Sequence, residues 1–165
     1  MTIRIRLRHQ GARFIHPMDP MPRTAILAAG FEETELVRVY PRGWNEWAAR
    51  FQPASVAGPP KRLRELAHIG WRLDRAVIAF TYLDGESLTA ADRELFWTAF
   101  GVPVFEQLLG PNNELLAMEC DAHFGLHVVA GCGNMRLERE KCGCGSPAPR
   151  VPRGSRIDEL VGLLA

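Results

Sequence analysis

The chain has 165 residues, 47% of them hydrophobic, which is enough for one α/β domain spanning 1–165 with a real hydrophobic core. No apolar run approaches the ~20 residues of a membrane helix, and the start Met1-Thr2-Ile3-Arg4-Ile5-Arg6 alternates apolar and charged residues where a secretory core would be continuous, so a soluble, cytoplasmic protein with no membrane partner is expected. The net charge of +1 hides two halves of opposite sign: Lys and Arg outnumber Asp and Glu by 13 to 7 over residues 1–75 and are outnumbered 8 to 1 over 76–135, but the arginines are scattered singly, without the interleaved aromatics of a nucleic-acid platform.

Residues 2–8 alternate Ile3, Ile5 and Leu7 with arginines, the period of a half-buried edge strand. His16-Pro17-Met18-Asp19-Pro20-Met21-Pro22 must be loop, ordered by its two methionines. Thr24 is placed to cap a short helix through Ala29, with Gly30 ending it, and residues 35–40 then read as a strand stopped by Pro41. Trp44, Trp47, Ala48 and Phe51 recur at helical spacing and are predicted to form one buried stripe. Residues 53–60 have the composition of a linker, and a basic helix follows over Lys61–Ile69 with Leu63, Leu66 and Ala67 inward.

Arg75–Tyr82 is a nearly continuous apolar and β-branched run, the signature of a central strand covered on both sides. Thr89-Ala90-Ala91-Asp92 has the capping-box pattern, and Leu95, Phe96, Ala99 and Phe100 give the next helix its inner stripe before Gly101 ends it. Val102–Phe105 is the following strand, so this region is a βαβ unit whose strands run parallel. Residues 114–120, 126–130 and 134–139 then form an antiparallel meander, Ser146–Pro152 is Pro-rich, and the tail from Ser155 carries Ile157, Leu160, Val161 and Leu164 at the spacing of a last helix. The predicted fold is therefore α/β, with a small parallel or mixed sheet, a metal-clamped β subregion at 114–150 and a C-terminal helix.

Three of the four cysteines and two of the five histidines lie in Glu119–Val128 and Lys141–Gly145. With no export signal in view, the Cys-Gly-Cys spacing suits a metal better than a disulfide. If Asp121–Gly125 closes a hairpin, Cys120 and His127 converge across the pair, and the returning strand brings Cys142 and Cys144 to the same end. Gly143 and Gly145 lack the Cβ that would obstruct such a knuckle. Cys132 falls in the opposite turn, five residues past His127 and ~16 Å away. Cys120, His127, Cys142 and Cys144 thus make a Cys₃His set, the composition of a closed structural zinc site. His123 is the rival nitrogen donor, and free thiols beside a core histidine are the alternative to a metal.

The order Val104-Phe105, Glu119-Cys120, Gly125-Leu126-His127 and then Cys-X-Cys resembles the phenylacetate–CoA ligase branch of the adenylate-forming enzymes over about residues 75–150, and less closely over 27–60. The resemblance implies zinc on Cys120, His127, Cys142 and Cys144. It also implies a Tyr-Gly-X-Ser/Thr-Glu motif near Glu106–Gly110, where this chain reads Glu106-Gln107-Leu108-Leu109-Gly110. The family's phosphate loop and the C-terminal domain with its catalytic lysine have no counterpart, and the only lysines are Lys61 and Lys141. The expectation is a zinc-binding, non-catalytic relative of acyl- and aryl-CoA ligases, acting as an accessory subunit or scaffold with a protein partner or a second copy. The alternative is a binder of, or enzyme on, an aryl or acyl acid, CoA or a nucleotide in a residual cleft beside Phe105, Glu106 and Gln107. There Glu106 is the obvious acid, unless it is a solvated strand-end carboxylate.

Overall fold

Ala76–Tyr82 is apolar along its length because both of its faces are covered. The computed structural model, which describes residues 11–130 and 136–152, places it as β4 of a sheet with eight strands among the described residues. The others are β1 (Thr24–Ile26), β2 (Val37–Val39), β3 (Ser55–Gly58), β5 (Val104–Leu109), β6 (Leu115–Glu119), β7 (Leu126–Val128) and β8 (Arg150–Val151). They lie side by side in the order β2-β1-β3-β4-β5-β6-β7-β8. The first five are parallel, and β6, β7 and β8 are added antiparallel. The α/β class with a mixed sheet is thus present, and β4 and β5 pair in parallel across their helix as predicted. The predicted strand over 2–8, the turn holding Cys132, the first two residues of the 134–139 strand and the helix from Ser155 lie outside the described residues.

Three helices complete the described part: α1 (Glu46–Phe51), α2 (Pro60–Ile69) and α3 (Ala90–Phe100). In α3 the capping box forms in full, with the Thr89 hydroxyl accepting from the Asp92 N–H and the Asp92 carboxylate accepting from the Thr89 N–H, while Gly101 closes the helix in the left-handed region. Leu63 and Leu66 of α2 and Phe96 and Phe100 of α3 pack on Val56, Val77, Ala79 and Val104, one face of the sheet. Residues of alternate parity, Ala57, Ile78, Phe80 and Phe105, line the other face.

That second face has no helix among the described residues and is covered by the segment 11–22. Phe14, Met18 and Met21 pack there, as the loop's methionines were expected to. The strap is tied down twice by polar contacts. Gln107 Nε2 donates to the Ile15 carbonyl at 2.7 Å. The buried His16 ring accepts the Met18 N–H at Nδ1 (3.0 Å) and has Nε2 3.1 Å from Ser55 Oγ.

Several expectations are overturned here. Thr24–Ile26 is a strand, because pairing with β2 on one side and β3 on the other outweighs the alanine-rich local preference for helix. The supposed linker contains β3, buried at all four residues and seated between β1 and β4. The tryptophan stripe also breaks up. Asn45 caps α1 through the Ala48 N–H, so Trp44 precedes the helix and packs on Trp71 at 4.9 Å, and Trp47 is 67% exposed with the Arg50 guanidinium over its ring. Only Ala48 of the four is fully buried.

Burial holds the His16 imidazole below its ordinary pKa of 6.5, and the nearby charge of Arg75 acts in the same direction. As pH falls through that value the unfolded chain takes up the proton first, so the contribution of neutral His16 is complete above it and is lost toward the lower folded-state pKa. Urea unfolding of the wild type and His16→Gln should show the stability gap between them narrowing from about pH 7.5 to pH 5.5, by at most about 1.4 kcal/mol per pH unit below the ordinary value. A gap independent of pH would show that His16 does not titrate in this way.

Candidate metal centre

β6 and β7 form a hairpin in the register Met118↔His127 and Glu119↔Leu126, which leaves Cys120 just past the end of β6 and puts His127 at the centre of β7. Gly125 ends the turn between them with φ +74°, and a Cβ there would lie 2.6 Å from the Val151 carbonyl oxygen, so only glycine allows β8 to close against this corner. The strand beside β7 is β8, from the stretch that reads as Pro-rich loop, and Glu138 bridges to Arg150 on its far side. The chain from Glu138 to Arg150 therefore loops back over the β6–β7 end, carrying Cys142 and Cys144 with it. Arg150, itself buried, fastens the loop by donating to the carbonyls of Phe124 (2.7 Å) and Glu140 (3.2 Å).

Cys120, His127, Cys142 and Cys144 come together with one donor atom from each within 4.8 Å of all the others. Cys120 Sγ and Cys142 Sγ are 3.6 Å apart, and Cys144 Sγ is 3.3 Å from His127 Nε2. The edges of a tetrahedron around zinc with the usual bond lengths are about 3.5–3.8 Å, so the group is close enough to hold such an ion. His127 Nδ1–H donates to the Ala148 carbonyl at 3.2 Å, which fixes the tautomer and frees the Nε2 lone pair. Each sulfur also accepts a backbone N–H from two residues further on: Cys120 from Ala122, Cys142 from Cys144, and Cys144 from Ser146 at 3.4 Å.

Such bonds favour thiolate over thiol. Cys142 is held down at about 6, first by the Cys144 N–H, whereas burial pushes Cys120 up to about 11. The knuckle depends on its two glycines unequally. Gly145 needs its φ of +84°, but a Cβ at Gly143 would meet nothing nearer than Ala122 Cβ at 3.9 Å. His123 stays outside the group: its ring lies against Phe105, and Nδ1 is 3.4 Å from Glu119 Oε1.

Beside the sulfurs lies a buried ionic network that the sequence reading missed. Arg93, from α3, donates to Glu119 Oε2 (3.0 Å) and to Glu106 Oε2 (3.1 Å). Glu119 Oε2 also accepts the Glu106 N–H at 2.9 Å, and Thr81 Oγ1 donates to Glu106 Oε1 at 2.9 Å. Glu106 is thus not a solvated strand-end carboxylate. It sits within β5, where burial raises its pKa against the opposing pull of Thr81 and Arg93. Its signal was present in the sequence, since an acid inside an apolar strand requires a buried partner.

No family model and no curated protein matches the chain. Among solved structures, the fold is similar to that of a 2-hydroxyisobutyryl-CoA ligase in an open conformation, determined in complex with 2-HIB-AMP and CoA. The TM-score is 0.54 at 12% identity, and the match covers 79% of this chain and 46% of that one. The chain spans less than half of the ligase's length, and at this identity the likeness is one of fold.

Removing Arg93 would leave the buried Glu119 and the partly buried Glu106 without the guanidinium between them. Arg93→Ala is expected to lower stability by about 3 kcal/mol in urea unfolding, and Glu106→Gln with Glu119→Gln in the same background should restore part of that loss. A cost below about 0.5 kcal/mol, as for an exposed pair, would show the network to be solvated.

Proposed function

We propose that the chain, acting as one domain with its β subregion at 114–150, is a zinc-clamped, non-catalytic relative of the phenylacetate–CoA branch of the ligases that works by binding, as an accessory subunit or scaffold of a larger assembly. The observation that carries this reading is the convergence of three sulfurs and one imidazole nitrogen within 4.8 Å, each sulfur furnished with a backbone N–H. Three thiolates and an imidazole suit Zn²⁺, and four protein donors fill its tetrahedron, leaving no position for a reacting water. Zinc bound there supplies a cross-link between the end of β6, β7 and the loop before β8. The residues around it orient the donors: Ala148 holds the imidazole, and Ala122, Cys144 and Ser146 hold the sulfurs.

The non-catalytic half of the proposal is supported at the end of β5. The acid of the ligase motif would fall at Gly110, where a Cβ would lie 2.3 Å from the Glu114 carboxylate as the chain turns back into β6. Glu114 itself accepts the Asn112 N–H at 2.8 Å, and Glu106 is held by Arg93 and Thr81. Of the acids of this segment, Glu106 is thus held within the sheet, while Glu114 is exposed on the turn. A binding role is supported by large aromatics left on the surface, Trp47, Trp97 and Phe124, each more than half exposed.

Elemental analysis of the purified chain should find one zinc per molecule, and less than about half an equivalent would overturn the metal assignment. Cys142→Ser should lose the metal and lower the unfolding midpoint by about 10 °C. Calorimetry with ATP, CoA and aromatic acids should register no binding. Tight binding of any of these would favour a residual ligand cleft over a scaffold.

A further inference from the structure

Of the three sulfurs, Cys142 is buried, Cys120 half-buried and Cys144 exposed. Cys144 lines an open cavity of about 260 Å³ together with Cys120 and His127, walled further by Pro17 of the strap, Met118 and Val129. Cys144 is the most open of the three sulfurs, with Cys120 half-buried in the same cavity and Cys142 buried, so the proposed coordination sphere is approached first at Cys144. A small oxidant has both a route and room to reach that sulfur.

A second sulfur is in place to complete the reaction. All donor atoms of the group lie within 4.8 Å, and Cys120 comes from the end of β6, a different part of the chain from the knuckle. Cys142 also lies within that 4.8 Å, but a bridge between two cysteines one residue apart must close a very small, strained ring.

We propose that Cys144 is an oxidative modification site at which a hydroperoxide converts the zinc clamp into a disulfide clamp, with Cys120 as the resolving thiol. This rests on the zinc reading above. In the first step the Cys144 sulfur attacks the peroxide O–O bond; the bond breaks, Cys144 becomes the sulfenic acid, and hydroxide (or the alkoxide) leaves. In the second step the Cys120 thiolate attacks Cys144 sulfur, the S–S bond forms, and the sulfenic oxygen departs as hydroxide and is protonated to water. Two electrons pass from the two sulfurs to the peroxide, and zinc, stripped of two of its four ligands, is released as the aqua ion. The end of β6 stays tied to the 138–150 loop, now covalently, while Cys142 and His127 are freed to new partners.

The test uses the full chain, with its zinc content measured first. Hydrogen peroxide at about one equivalent should release zinc to a chelating dye in step with the loss of two thiols per chain, peptide mass mapping should find Cys120 joined to Cys144, and a thiol reductant with added zinc should reverse both changes. Cys144→Ser risks losing the metal, so the decisive variant is Cys144→His, which keeps four donors and removes the exposed sulfur. Its peroxide-driven zinc release should be slower by about tenfold or more. Zinc retention under excess peroxide, unchanged release from Cys144→His, or a bridge to Cys142 or Cys132 would each overturn the proposal while leaving the zinc assignment intact. A chain that never held zinc would overturn the assignment, and this inference with it.

Discussion

Three thiols and an imidazole held within 4.8 Å of one another are a poor set of mutual hydrogen-bond partners, and something must hold them together. Beyond the Arg150 bonds to the Phe124 and Glu140 carbonyls and the N–H groups on the sulfurs, the flank they occupy has little else to do so. Its apolar cluster is small, made of Leu108, Leu116, Ala117, Leu126 and Val151, whereas the two clusters of the parallel region include six phenylalanines between them. Strand β7 has three residues and β8 has two, lengths at which ladder bonds and side-chain burial do not sustain an edge alone. Under the proposed assignment, the parallel half is stabilised by burial and the antiparallel half by chelation, and the second is the part sensitive to the state of its sulfurs.

The two halves meet in one dipeptide. Along an extended strand successive side chains point to opposite faces, so Glu119 and Cys120 divide the end of β6 between them. Cys120 joins the sulfur cluster, and Glu119, 2% exposed, turns to Arg93 of α3 and the backbone of β5. Leaving that carboxylate unpaired would cost more than the net gain of any single hydrogen bond here, so α3 and β5 are registered on the very residue that sets the first donor. Thr89 and Asp92 cap the same helix one turn before Arg93 completes its contacts, and Arg64 of α2 binds Asp92 in turn. The clamp is thereby connected to both helices of the main core.

The sequence was most legible where one local signal sufficed. The run at Ala76–Tyr82, the capping box at Thr89 and the inner stripe of α2 each specify an element without help from distant residues, and the structure contains all three. The meeting of Cys120 and His127 was legible because hairpin geometry restricts which donors can converge, whereas Cys142 and Cys144 arrive on the loop before β8 and not behind the strand expected at 134–139, whose described residues make only the Glu138–Arg150 bridge. What escaped was context. β3 is made of Ser, Val, Ala and Gly because small residues suit a strand pressed between two neighbours, and that composition also reads as linker. β1 carries a helix-like run whose fate was settled by partners on both sides, and β8 is two residues among prolines, too short for any periodicity. The Trp44–Phe51 stripe failed by one position, because Asn45 starts the helix after Trp44 and so turns Trp47 outward.

That outward turn bears on where the proposed binding surface would lie. Under the proposed binding role, a coordination sphere filled by four protein donors would leave selectivity to surfaces that the fold holds still. In the sequence the arginines of the basic half look isolated, but the fold pairs two of them with rings: Arg23 lies 4.5 Å from the Phe51 centroid and Arg50 5.1 Å from that of Trp47. The Tyr40 hydroxyl donates to the Trp47 carbonyl beside them, at 3.3 Å. A guanidinium laid on an aromatic face loses part of its rotamer freedom before any partner arrives, yet keeps N–H groups at its edge for an acceptor. The entropy of ordering a long cation is the cost that most weakens surface ion pairs, and at α1 a share of it is already met within the fold.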